Sequence, residues 1–312
     1  MTAVVAEETA EPHLSDLLDR LNGILLGKDR ELRLALACLL ARGHLLIDGL
    51  PGVGKTTLAQ GLASELGLDF RRVQFTSDLL PADVLGVSVY DRQVEGFRFH
   101  PGPIFTQLLL ADEINRAPPR TQSALLEAME ERQVTVEGKS HALPEPFFVI
   151  ASQNPHQQIG TFPLPESQLD RFLARVPLGY PNAEAERALF QGEGGRSELG
   201  RSGPLLSPEI LLIWQGRVEA IHVAPALLDY VQALLTHSRD AERFAVGLSP
   251  RAGLGLIAMA RAWTYLHGRR AVEPEDVQAV VPALVEHRLQ ALDRGLEQAG
   301  LGQAMIESVA VP

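Results

Sequence analysis

Apolar positions recur three and four residues apart over Leu14–Leu21 and Asp29–Ala41, which predicts two helices with one buried face each. Leu45–Asp48 is a short apolar run that reads as a buried parallel strand. A glycine-rich turn follows, then a helix over Lys55–Leu66 closed by Gly67. Further strands are predicted at Arg72–Phe75, Gln107–Ala111, Phe147–Ser152 and Arg175–Leu178, with helices at Leu79–Leu85 and Pro119–Arg132. Val87–Tyr90 and Phe97–Phe99 alternate around a polar turn and predict a hairpin. Val134–Val136 and His141–Leu143 predict a second one across Gly138. Strands alternating with helices through residue 180 imply an α/β fold, a parallel sheet covered on both faces.

Beyond that point the strand pattern stops. Gln191–Pro204 is rich in glycine, serine and charge, without a period, and reads as a loop. Ser207–Val218, Ala226–Ser238, Pro250–Leu266 and Pro274–His287 are helical patterns opened by a cap-like serine or a proline. The expected organisation is a disordered lead-in over 1–12, an α/β core over 13–181 and a linker over 182–204. A small all-α domain over 205–290 and a tail over 291–312 complete it. A length of 312 residues suits two domains.

A net charge of −11 repels phosphate backbones, so a dominant nucleic-acid surface is disfavoured. The single cysteine, Cys38, excludes a disulfide framework and fits a reducing compartment. The segment Met1–Pro12 lacks the pattern of a signal peptide. No run reaches the roughly 20 apolar residues of a membrane span. A cytoplasmic protein without membrane insertion is expected. His100, His141 and His156 show no metal-ligand spacing, and no Ser-His-Asp arrangement is evident.

Gly49-Leu-Pro-Gly-Val-Gly-Lys-Thr56 matches the phosphate-loop pattern GxxxxGK[ST], between a predicted strand and a predicted helix. Glycines let backbone N–H groups turn toward phosphate oxygens, and the helix N-terminus adds partial positive charge. Lys55 would reach the β- and γ-phosphates of ATP, and Thr56 would ligate Mg²⁺. The binding set is Gly49, Pro51, Gly52, Val53, Gly54, Lys55, Thr56 and Thr57. The strand Leu108–Ala111 runs into Asp112 and Glu113, carboxylates at the sheet edge where ligands bind. Asp112 would hold Mg²⁺, and Glu113 would polarise the attacking water as a general base.

Three further positions carry two readings each. Asn154 either orients that water or starts an Asn-Pro turn. Arg171 either completes a neighbour's active site, adding charge to the transition state, or pairs with Asp170 or Glu166. Arg251 sits in a helix's first turn, against the helix dipole. It either reaches the γ-phosphate or decorates the surface. Arg116 and Arg120 either face a neighbour or solvate a loop.

The chain resembles AAA+ ATPases, and more narrowly the MoxR family. The likeness rests on Gly49–Thr56, Ala111-Asp-Glu-Ile-Asn-Arg-Ala117, Thr121-Gln-Ser-Ala-Leu-Leu-Glu-Ala-Met-Glu130 and Ser152-Gln-Asn-Pro155. Gly160-Thr-Phe-Pro-Leu-Pro-Glu-Ser-Gln-Leu-Asp-Arg-Phe172 and Leu248-Ser-Pro-Arg-Ala252 add to it. The resemblance implies a P-loop core with an all-α lid. It makes Asn154 the first sensor, Arg171 the arginine finger and Arg251 the second sensor. Leu26 and Gly27, within Ile24–Gly27, fall in the segment that contacts adenine. Pro81–Pro103 and Gln133–Leu143 fall where the clade carries inserts directed at a pore or substrate. It further implies a homo-oligomeric ring, generally a hexamer, with chaperone-like action on partner proteins, often ones with a von Willebrand A-type domain. A magnesium-chelatase-like motor subunit and a nucleic-acid-dependent motor are the alternatives. Glu113 and Asn154, placed to activate water, weigh against a small-molecule kinase. The intact catalytic set weighs against a scaffold without turnover.

Overall fold

The computed structural model describes residues 10–93, 95–154, 160–201, 203–292 and 300–311. Helices α1 (Ala10–Ile24) and α2 (Asp29–Leu40) precede strand β1 (Leu45–Asp48) and helix α3 (Lys55–Glu65). Strand β2 (Phe70–Gln74), helix α4 (Pro81–Leu85) and the hairpin β3 (Gly86–Asp91) with β4 (Gly96–Pro101) follow. Strand β5 (Leu108–Asp112) and helix α5 (Pro119–Glu131) lead to a second hairpin, β6 (Gln133–Val136) with β7 (Lys139–Ala142). Strand β8 (Phe148–Gln153), the short helix α6 (Glu166–Leu169) and strand β9 (Ala174–Pro177) finish the core.

Strands β2-β5-β8-β1-β9 form one parallel five-stranded sheet in that order. Its central strands are buried on both faces, which their unbroken apolar sequences require. Side chains alternate between two cores. Leu45, Ile47, Leu108, Leu110, Phe148 and Ile150 join the cluster shared with α1, α2 and α3. Leu46, Leu109, Ala111, Val149 and Ala151 face the other, shared with α5. The order puts β1 beside β8, and β8 beside β5, so the ends of all three strands meet at one edge.

The remainder comprises α7 (Ala183–Phe190), α8 (Pro208–Glu219), α9 (Pro225–Ser238), β10 (Phe244–Val246), α10 (Pro250–Leu266), α11 (Pro274–Val285), β11 (Gln290–Ala291) and α12 (Leu301–Ser308). Proline opens α8, α9, α10 and α11, where its missing N–H costs nothing. Ser249 also caps α10, its Oγ accepting from the Ala252 N–H at 3.1 Å. The helical lid docks on the core through α2, and residues of α8, α10 and α11 share one core with it.

Three features differ from the sequence expectation. The presumed linker contains α7, capped by Asn182 Oδ1 accepting from the Ala185 N–H at 2.8 Å. The presumed tail contains α12, which packs on α11 through Leu301 and Met305. Gly302 allows that approach, since a Cβ there would lie 2.6 Å from Pro282 Cα. The lid also carries an antiparallel pair, β10 with β11, too short to leave a sequence period. Of the presumed lead-in, residues 1–9 lie outside the described residues and the last three begin α1.

Candidate nucleotide site

The phosphate loop spans the end of β1 and the start of α3. Its turn needs Gly52 and Gly54 at φ +89° and +102°, the left-handed region open to glycine without cost. Gly49 is needed for space: a Cβ there would sit 2.6 Å from the Leu178 carbonyl oxygen. Pro51 is exposed, Val53 buried, and Thr56 and Thr57 lie in the first turn of α3. Leu25 packs against Gly54 from α1's end. Leu26 and Gly27 meet the segment around α7, Gly27 against Asn182 and Ala185, and Leu26 against Gly194. The unexpected α7 therefore walls the side of the loop where adenine was expected.

Lys55 is 8% exposed. Its Nζ donates to the Gly49 carbonyl and, at 3.0 Å, to Asn154 Oδ1. Burial pushes its ammonium below the usual lysine value, opposed by the carboxylates of Asp112, Glu113 and Asp48. Asn154 Nδ2 donates in turn to Glu113 Oε1 at 3.1 Å. One amide thus bridges the loop lysine and the carboxylate expected to act as base. Asn154 was singled out from its place after β8, and the structure brings it between these two groups.

Asp112 ends β5 as a buried carboxylate. Ser152 Oγ donates to its Oδ1 at 2.5 Å, and Arg72 Nη2 donates to its Oδ2 at 2.6 Å. Glu113 adopts φ 57° and ψ 48°, which costs a side-chain-bearing residue about 1–2 kcal/mol. The Glu113 N–H donates to Ser152 Oγ at 2.9 Å, so one hydroxyl fixes both carboxylate residues. Glu113 Oε2 accepts from Gln74 Nε2 at 3.0 Å and from Arg116 Nη1 at 2.9 Å. Arg72, Gln74 and Ser152 were assigned no site role from sequence. Arg72 and Gln74 sit on β2, which the sheet order alone brings beside β5.

Arg171 and Arg251 stand apart from this cluster. Among the described residues, no hydrogen bond or ion pair joins either to Lys55, Asp112, Glu113 or Asn154. Both meet Glu130 near the end of α5: Arg171 Nε lies 3.2 Å from Oε2, and Arg251 Nη2 pairs with Oε1. The surface pairs expected for Arg171 are taken elsewhere, Asp170 by Arg288 and Glu166 by Gln290. Arg120 is exposed.

Comparison with known proteins is consistent with this geometry. Residues 44–174 match the model of the ATPase family associated with various cellular activities, and residues 236–308 match the AAA lid domain. The chain is 41% identical to Chaperone MoxR1 of Mycobacterium tuberculosis over 90% of its own length and 76% of that protein. It is 39% identical to the uncharacterized protein YeaC of Bacillus subtilis, covering 98% of this chain and 97% of YeaC. The crystal structure of a candidate ATPase from Cytophaga hutchinsonii superposes with a TM-score of 0.89 at 30% identity, covering 100% of this chain and 98% of that one.

Proposed function

The chain belongs to the MoxR family of AAA+ ATPases, and from that premise we propose that it hydrolyses ATP at a seam between two copies of itself. In this reading the phosphate loop and Lys55 hold the triphosphate. Glu113 takes a proton from water, and Asn154 fixes Glu113 and the water it activates. The observation that supports it is the continuous link Lys55–Asn154–Glu113, a carboxylate joined through one amide to the loop lysine, as a base acting next to bound phosphates requires.

Asp112 and Thr56 supply a buried carboxylate and a hydroxyl, hard oxygen donors of the kind Mg²⁺ takes. When bound, Mg²⁺ offsets the charge that develops on the phosphate oxygens. Ser152 and Arg72 hold the Asp112 carboxylate in place at the edge. Arg171 and Arg251 act on the neighbour's nucleotide, exchanging Glu130 for phosphate oxygens, and the assembly is a hexameric ring. Its work is chaperone-like remodelling or activation of a protein client, one with a von Willebrand A-type domain being the first to try. No helix of the described residues is long and apolar enough to cross a membrane. The buried thiol Cys38 suits a reducing cytoplasm.

The test is Glu113→Gln, which keeps the shape and removes the base. ATP affinity should stay within about twofold while turnover falls about 10²–10⁴-fold, the span of general-base contributions. Hydrolysis at the unmodified rate would refute the assignment of Glu113.

A further inference from the structure

Arg171 is mounted on a segment of the core that its own lid holds from beneath. Arg288, just beyond α11, carries a guanidinium with only 6% side-chain exposure. Its Nε donates to Asp170 Oδ1 at 2.7 Å. Its Nη2 donates to the carbonyls of Asp170 at 3.2 Å and Phe172 at 2.5 Å. Its Nη1 donates to the Leu173 carbonyl at 3.1 Å and also to that of Leu284 on α11. His287 Nε2 meets the Phe172 carbonyl at 3.0 Å, and Ser249 Oγ donates to Asp170 Oδ2 at 3.2 Å. The backbone on both sides of Arg171 is therefore fixed by lid residues.

Charge-assisted hydrogen bonds of this kind are short and directional, and the planar guanidinium makes several at once. A lysine keeps the charge but cannot reproduce the fork. Above the same segment, Glu130 ties Arg171 to Arg251 of the lid's α10. Lid contacts thus reach Arg171 both through its backbone neighbours and through Glu130, while β9 beyond it stays paired with β1 of the sheet.

We propose that Arg288 is a positioning residue which, through Asp170 and the flanking carbonyls, sets where each copy aims Arg171 at its neighbour's ATP. The lid of one protomer thereby tunes hydrolysis in the next. This rests on the reading that Arg171 acts in trans.

Mixing experiments test it. Arg288→Lys should bind ATP within about twofold of the parent protein and assemble normally. Its turnover should fall about tenfold or more, since small misplacements of a catalytic group cost that much. Mixed with Lys55→Ala, which lacks a working nucleotide site but retains a correctly mounted Arg171, it should regain activity above the sum of the two proteins alone. Asp170→Asn, nearly isosteric and less buried, should behave the same way. The calibrating mixture is Arg171→Ala with Lys55→Ala. If that pair gains activity and the Arg288→Lys and Asp170→Asn pairs do not, the positioning role is overturned and the trans reading stands. If the calibrating pair also fails, both fall. Loss of ATP binding or assembly in both variants would likewise overturn the proposal, because the contact would then serve only to hold the fold together.

Discussion

Lys55, Asn154 and Glu113 reach one another across the ends of neighbouring strands, whereas Arg171 and Arg251 reach none of them. The first group is assembled by the sheet. Once β1, β8 and β5 lie side by side, their C-terminal loops have nowhere else to go. The second group lies where α5, the segment after α6 and α10 converge, and its cations share one partly exposed carboxylate, Glu130. The first group is thus joined within one chain. The contrast teaches that pocket and arginine face are separable parts, and each can be broken without the other.

The largest effect should come from the pocket. Lys55→Ala removes the cation beneath the loop and the partner of Asn154. ATP binding should become undetectable by calorimetry, and turnover should be lost at every protein concentration. Retained nanomolar-to-micromolar binding would mean the loop holds nucleotide without its lysine.

Arg171→Ala should leave ATP binding within about twofold and reduce turnover about 10³-fold, at the lower end of what an arginine supplied to a phosphoryl transition state contributes. Single-turnover kinetics with saturating ATP checks it. An equal loss of binding would move Arg171 into its own chain's pocket and erase the distinction between the two regions.

A smaller effect should come from acid. His44 is buried, its Nδ1 accepting from the Val149 N–H at 3.0 Å and its Nε2 facing the Met129 carbonyl at 3.3 Å, one residue from Glu130. Burial holds its pKa down at about 4, and His287 is shifted the same way. The unfolded chain binds this proton near pH 6.5 and the folded chain does not. Stability is therefore complete above pH 6.5 and is lost as pH falls from 6.5 toward 4. His44 alone should cost about 2–3 kcal/mol between pH 7 and pH 4.5. Urea unfolding at the two values measures it, and His44→Gln should flatten the difference. An unchanged slope in that variant would show that the loss arises at other groups.

How much of this was legible beforehand follows from the range of each contact. The loop Gly49–Thr56 and the pair Asp112–Glu113 are local patterns set against predicted strands, so their placement at one edge could be anticipated. Asn154 could be anticipated for the same reason, as the polar group directly after β8. Arg72 and Gln74 could not, because their use depends on β2 lying beside β5, a pairing across 38 positions that no short pattern encodes. Glu130 and Arg288 are further removed, since each joins the core to the lid. The partner of Arg171 is Glu130 rather than Asp170 or Glu166, because an arginine's reach exceeds the helical neighbourhood from which those two were drawn. The helices α7 and α12 escaped notice because each has only eight residues, too few for a period to stand out.

The claim on which the rest depends is that one active site draws on two copies of the chain. The most direct measurement is the ATPase rate per subunit as a function of protein concentration, with assembly followed in parallel by sedimentation. The account predicts a rate that climbs with concentration and levels off where assembly is complete. A rate per subunit that stays constant while the protein passes from monomer to assembly would contradict it.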